Sequence, residues 1–84
     1  MDKEKLYQRI KSGSKNNVRF GDFVTLIEAF GFRLTRINGS HHIFSHPQIN
    51  DVLNLQTKNG DVKAYQVGQF LKQVAKYNLT MEKE

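Results

Sequence analysis

The apolar positions of this chain change their period several times, and each change marks an element. Leu6 and Ile10, with Tyr7 beside them, share one face of a short helix over residues 2–11, which is too short to stand without a packing partner. Ser12-Gly13-Ser14-Lys15-Asn16-Asn17 carries the small and polar residues of a loop. From Phe20 the pattern is helical, with Phe23, Leu26, Ile27 and Phe30 at three- and four-residue steps and Asp22 near the start, where a carboxylate suits the helix dipole. Gly31 is placed to end this helix in a left-handed cap, with Phe32 folding back onto the last turn.

Residues 32–37 then read as a strand, Asn38-Gly39 as a two-residue hairpin turn, and residues 40–45 as the partner strand, stopped by Pro47. Gln48 to Asp51 forms a loop, and Val52-Leu53-Asn54-Leu55-Gln56 a third strand with Leu53 and Leu55 on one face. Lys58-Asn59-Gly60-Asp61 is the next turn, and residues 62–65 give no clear pattern. Val67, Phe70, Leu71 and Val74 make a further amphipathic helix ending near Asn78. The expectation is one α+β domain with three antiparallel strands covered by helices on one face. Residues 20–78 form its core, 1–19 an appended helix and loop, and 79–84 a polar tail.

Eighty-four residues allow one modest core. Cysteine is absent, which removes disulfides and thiolate zinc sites. The charged start and the shortness of every apolar run argue against a signal peptide or membrane span, so a cytoplasmic protein is expected. Thirteen Lys and Arg against eight Asp and Glu give a net charge of +5, a field that draws polyanions such as RNA. The excess is concentrated between Lys5 and Arg36, where seven basic residues face only Asp22 and Glu28.

Candidate chemistry lies in Gly39-Ser40-His41-His42-Ile43-Phe44-Ser45-His46-Pro47, which holds all three histidines. Imidazole exchanges protons near neutral pH. Strand alternation sets His41, Ile43 and Ser45 on one face and His42, Phe44 and His46 on the other. With Phe44 toward the helices, His41 stands on the open face and His42 is partly covered. Ser40 beside His41 lacks a nucleophile elbow, and the histidine spacing matches no closed zinc pattern. Three readings remain open: a metal site from His41 or His42 with His46 and carboxylates from elsewhere, structural histidines that happen to cluster, or one general acid or base on a basic surface. The last suits RNA, whose ribose 2′-hydroxyl is an internal nucleophile, with Arg33, Arg36 or Lys63 supplying positive charge to phosphate.

The helix ending in Gly31-Phe32, then Arg36, the turn at Gly39, and Ser40-His41-His42-Ile43-Phe44 running to His46-Pro47 together resemble the HicA toxins of bacterial toxin–antitoxin systems, from Phe20 to about Tyr77. The resemblance implies a fold like the double-stranded-RNA-binding domain, with a three-stranded sheet backed by two helices. It also implies a ribonuclease that cleaves mRNA without a metal or other cofactor, a catalytic histidine at His41, and inhibition by a HicB-like antitoxin that covers this surface. His42, Ser40 and Gly39 would support that histidine, Gly39 through turn geometry. The segment before Phe20 has no counterpart in the minimal toxin, and Asp61-Val62-Lys63-Ala64-Tyr65 lacks the basic, glycine-containing lead expected before the last helix. A noncatalytic RNA-binding module of the same fold, or a docking module using Ile43 and its neighbours, is the alternative.

Overall fold

The computed structural model describes residues 2–81. Eight elements follow in order: α1 (Lys3–Lys11), β1 (Val18–Arg19), α2 (Phe20–Ala29), β2 (Arg33–Asn38), β3 (His41–Ser45), β4 (Val52–Lys58), β5 (Asp61–Val62) and α3 (Ala64–Tyr77). The sheet is antiparallel in the order β1-β5-β4-β3-β2. It therefore has five strands where three were expected. In chain order the three long strands follow α2 and precede α3, as read from the sequence, but two-residue β1 and β5 extend the sheet beyond β4, so the expected three-stranded double-stranded-RNA-binding-domain form is not confirmed.

Each departure has a local cause. Asn59 and Gly60 both adopt positive φ, +54° and +83°, which is the twist a two-residue hairpin requires, so the expected turn also pairs Lys58 with Asp61 and starts β5. β1 then pairs with β5, held by Arg19 Nη1 to Asp61 Oδ1 at 3.2 Å and by the Phe20 N–H donating to Gly60 O at 2.9 Å. The first hairpin turns at Gly39-Ser40, one residue later than predicted, because Asn38 pairs with His41. Gly39 takes φ +62° at the first loop position, where glycine has no Cβ penalty. Thr35 forms a bulge, since Leu34 pairs with Phe44 and Arg36 with Ile43.

The end of α2 follows the sequence expectation. Gly31 lies at φ +100°, the Phe32 N–H donates to Ile27 O at 3.1 Å and the Gly31 N–H to Glu28 O at 3.0 Å. These are the paired bonds of a Schellman cap, and they deliver Phe32 into the core. There Phe70 of α3 is the hub, with ring centroids 5.5 Å from Phe23, 5.2 Å from Phe30 and 6.1 Å from Phe32. Phe44, Leu53 and Leu55 close the core from the sheet side.

Residues 1–19, expected as an addition to the core, contribute Leu6, Ile10 and Val18 to it, all essentially without solvent exposure. Asp2 caps α1 by accepting from the Glu4 N–H at 2.7 Å, and Tyr7 packs on Phe30 at 5.0 Å. Leu79, in the segment read as a polar tail, is also buried; residues 82–84 of that tail lie outside the described residues.

Truncating a buried aliphatic chain removes its transfer energy and leaves a cavity, so Ile10→Ala is expected to cost about 2–5 kcal/mol of unfolding free energy in a urea titration. An unchanged midpoint would show that α1 is dispensable to the core. Near the end of α3, the Tyr77 hydroxyl donates to Asp51 Oδ2 at 2.7 Å, which is the main reason that the Asp51 carboxyl titrates below its ordinary value; desolvation opposes this and Lys76 adds to it. A lowered folded value means that the contribution is complete above the unfolded carboxylate range and is lost as pH falls through the folded value. Tyr77→Phe should move the Asp51 titration, followed by carboxyl NMR, back toward the ordinary range.

Candidate active site

His41 opens β3 immediately after the turn and stands on the sheet face opposite the buried Phe44. Its Nδ1–H donates to Asn54 Oδ1 at 2.9 Å, and its Nε2 accepts from the Gln56 amide at 3.1 Å. The geometry follows from register. Gln56 lies directly opposite His41 on β4, and Asn54, opposite Ile43, is its diagonal neighbour on the same face. An amide oxygen can only accept and an amide nitrogen only donate, so the pair selects the neutral ring with hydrogen on Nδ1 and a lone pair on Nε2.

Gln66 braces this arrangement from behind. Its side chain is buried in the first turn of α3, donates from Nε2 to Asn54 O at 3.1 Å, and accepts at Oε1 from the backbone N–H groups of Gln56 and Lys63, each at 3.4 Å. One glutamine thus fixes the main chain of both residues that hold His41. His41, Asn54, Gln56, Tyr65, Gln66 and Gln69 line an open recess of about 150 Å3.

The other histidines have different environments. His42 faces the helix side, its ring 4.9 Å from that of Phe20 and its Nδ1 3.2 Å from Ser40 O. His46 is buried; its Nδ1 accepts from the Gln48 N–H at 3.1 Å, which leaves Nε2–H to donate to Phe30 O at 2.9 Å. It ties the β3–β4 loop to the end of α2 and fits there because residue 31 has no side chain: a Cβ on Gly31 would lie 2.7 Å from His46 Nε2. Among the described residues no three His, Cys, Asp or Glu side chains gather as a metal site.

The expected cations separate as well. Arg36, paired with Ile43, shares the open face with His41 and is exposed. Arg33 Nη1 donates to Glu28 O and Phe32 O, both at 2.8 Å, satisfying carbonyls at the end of α2. Lys63 precedes α3 and lines, with Lys58, a hollow other than the His41 recess. Ser40 occupies the second loop position of the hairpin. Sequence reasoning missed Asn54, Gln56, Tyr65, Gln66 and Gln69. Alternation along β4 was the available signal for the first two, since placing Leu53 and Leu55 in the core puts Asn54 and Gln56 on the face of His41.

The molecule is a small α+β domain with a single histidine held by neutral amides on an open sheet face. The family model described as HicA toxin of bacterial toxin–antitoxin systems matches residues 20–75, more than half of the chain, and the chain belongs to that family. Comparison with curated proteins and with solved structures gave no match. Membership makes the chain a toxin of a toxin–antitoxin system, with an antitoxin as its partner. No helix among the described residues is long and apolar enough to cross a membrane.

The held tautomer is directly observable. In the wild type, imidazole 15N shifts above the titration range should show His41 protonated at Nδ1. Asn54→Leu should release the ring to a mixture dominated by the Nε2–H form that free imidazole side chains favour. An unchanged spectrum would mean that Asn54 does not orient the ring.

Proposed function

We propose that the chain is an endoribonuclease toxin that cleaves mRNA in the bacterial cytoplasm with His41 as general base and without a metal, and that a HicB-like antitoxin neutralises it by covering the open sheet face. The observation that carries this reading is the pair of hydrogen bonds by which Asn54 and Gln56 hold the His41 ring beside an open recess, Asn54 on Nδ1 and an exchangeable amide on Nε2. The 2′-hydroxyl of RNA lies next to the scissile phosphate, so the enzyme needs to supply proton transfer and charge stabilisation rather than a nucleophile.

In the proposed step the ribose hydroxyl takes the place of the Gln56 amide at Nε2 and gives up its proton there. The 2′ oxygen bonds to phosphorus, the bond from phosphorus to the 5′ oxygen breaks, and that oxygen leaves with a proton from water. The products are a 2′,3′-cyclic phosphate and a 5′-hydroxyl, and the imidazolium returns its proton to solvent. Asn54 accepts from Nδ1–H throughout, and its dipole favours the positive charge that forms on the ring. Arg36 is the cation on this face placed to meet a phosphate. Gly39 and Ser40 act through the turn that sets His41 at the head of β3. Arg33, by contrast, contributes through α2, and Lys63 from outside the recess.

His41→Ala should reduce cleavage of a long single-stranded RNA in EDTA by at least about 100-fold, the lower end of what a positioned acid or base contributes. His42→Ala should be milder, because that ring packs on Phe20. Circular dichroism of each variant separates lost chemistry from lost structure. Equal cleavage by wild type and His41→Ala, or RNA binding without cleavage by the wild type, would replace the nuclease with a binding module. Strong EDTA inhibition reversed by zinc would replace the metal-free mechanism.

A further inference from the structure

We propose that the recess beside His41 receives one unpaired nucleobase of the RNA strand, stacked on Tyr65 and read at its edge by Gln69, an inference that rests on RNA as the ligand of this face. The recess holds about 150 Å3, whereas pockets for whole drug-sized ligands run to roughly 300–1,000 Å3. It fits a single heterocycle.

Its lining decides which part of a nucleotide enters. Besides His41 it consists of one tyrosine, one asparagine and three glutamines, with no Lys, Arg, Asp or Glu. A phosphate would find no cation inside. The cations lie outside it, Arg36 on β2 and Lys58 with Lys63 at a separate hollow, so the charged backbone is accommodated outside and the uncharged base within.

Tyr65 is 58% exposed and makes no ring contact or hydrogen bond among the described residues, which leaves a π-face free for a base. Exposed aromatic rings beside a basic surface are the usual platform for single-stranded nucleic acid. Gln69 follows Tyr65 by four residues, one turn along the same face of α3. Both ends of its amide lack a protein partner among the described residues, as do Asn54 Nδ2 and Gln56 Oε1. Gln66 is excluded from reading because its amide is committed to the backbone. A primary amide offers a donor and an acceptor side by side, the pattern that base edges present. In a duplex that edge is paired and the faces are stacked, so the recess selects single strands.

The test uses the full chain and a 2′-O-methyl oligonucleotide, which lacks the attacking hydroxyl, with 2-aminopurine placed at successive positions. At one position the fluorescence should be quenched on binding to wild type and to Tyr65→Phe, which keeps the ring, and not on binding to Tyr65→Ala. Removing the base at that position should weaken wild-type binding about 10-fold, a value within the range for one stacked base, and leave Tyr65→Ala unaffected. Gln69→Ala should retain the quench and lose discrimination among the four bases. Equal wild-type affinity for intact and abasic oligonucleotides at every position would overturn the recess, as would full quenching by Tyr65→Ala. RNA cleavage without base discrimination would remove the recess and leave the nuclease. Tyr65-dependent quenching without cleavage would do the reverse, and absence of any binding would remove both.

Discussion

The arrangement of the site depends on how the outer edge of β4 is satisfied. β4 pairs along Val52 to Gln56 with β3, but β5 reaches it only at Thr57 and Lys58. The remaining edge lies under α3, away from a strand that could pair with it. A buried backbone donor or acceptor without a partner costs about 1–3 kcal/mol, so a packed helix at this place has to bring its own hydrogen bonds. Gln66 brings them to Asn54 O and the Gln56 N–H, and Gln73, two turns later, donates from Nε2 to Val52 O at 3.3 Å. The helix then behaves as a substitute strand. Its first turn is fixed over the two residues that hold His41, and Tyr65 and Gln69 are brought to the recess as a consequence.

The three histidines, clustered within six residues, take three tasks: strand alternation separates His41 from His42, and His46 lies just past the end of β3. His41 on the open face meets only amides, which set its tautomer and engage both ring nitrogens. His42 packs on Phe20, and His46 is a buried hydrogen-bonding clamp whose two nitrogens are both engaged by main chain. The arginines divide in the same way, Arg33 at the carbonyls of α2 and Arg36 on the open face. Charge near a candidate site is therefore a weak guide to its use, because an exposed carbonyl cluster at a helix end competes with a ligand for the same guanidinium.

Much of this was legible from local pattern. The Gly31-Phe32 cap, the inward Phe44 and the opposition of His41 to His42 each follow from a period or a backbone preference confined to a few residues. What was not legible depends on partners distant in sequence. Val18-Arg19 and Asp61-Val62 are too short to show alternation; Asp61-Val62 becomes a strand by pairing with the end of β4, and Val18-Arg19 by pairing in turn with it. Thr35 looks like any strand residue, yet its bulge places Leu34 and Ile37, three apart, on the same side. Gln66 resembles a solvated helix residue until β4 is seen to lack a neighbour beside it. Asn54 and Gln56 are an intermediate case, since alternation placed them on the face of His41 but polar residues on an exposed face carry no mark of their use.

Stability and chemistry occupy opposite faces of the sheet. The phenylalanine cluster around Phe70, the leucines of β4 and the residues contributed by α1 lie on the helix side. His41, Arg36 and the amides project from the other, where His41 and Gln56 are half-buried and Arg36 and Asn54 exposed. Substitutions there act on an exposed surface and should perturb the fold by little, typically within about 0.5 kcal/mol. Gln66 is the exception because it belongs to both sides: its amide is buried with the core and its bonds terminate on the backbone of the site. A change at Gln66 would therefore alter folding and the geometry of His41 together, whereas changes at Asn54, Gln56 or Tyr65 separate the two.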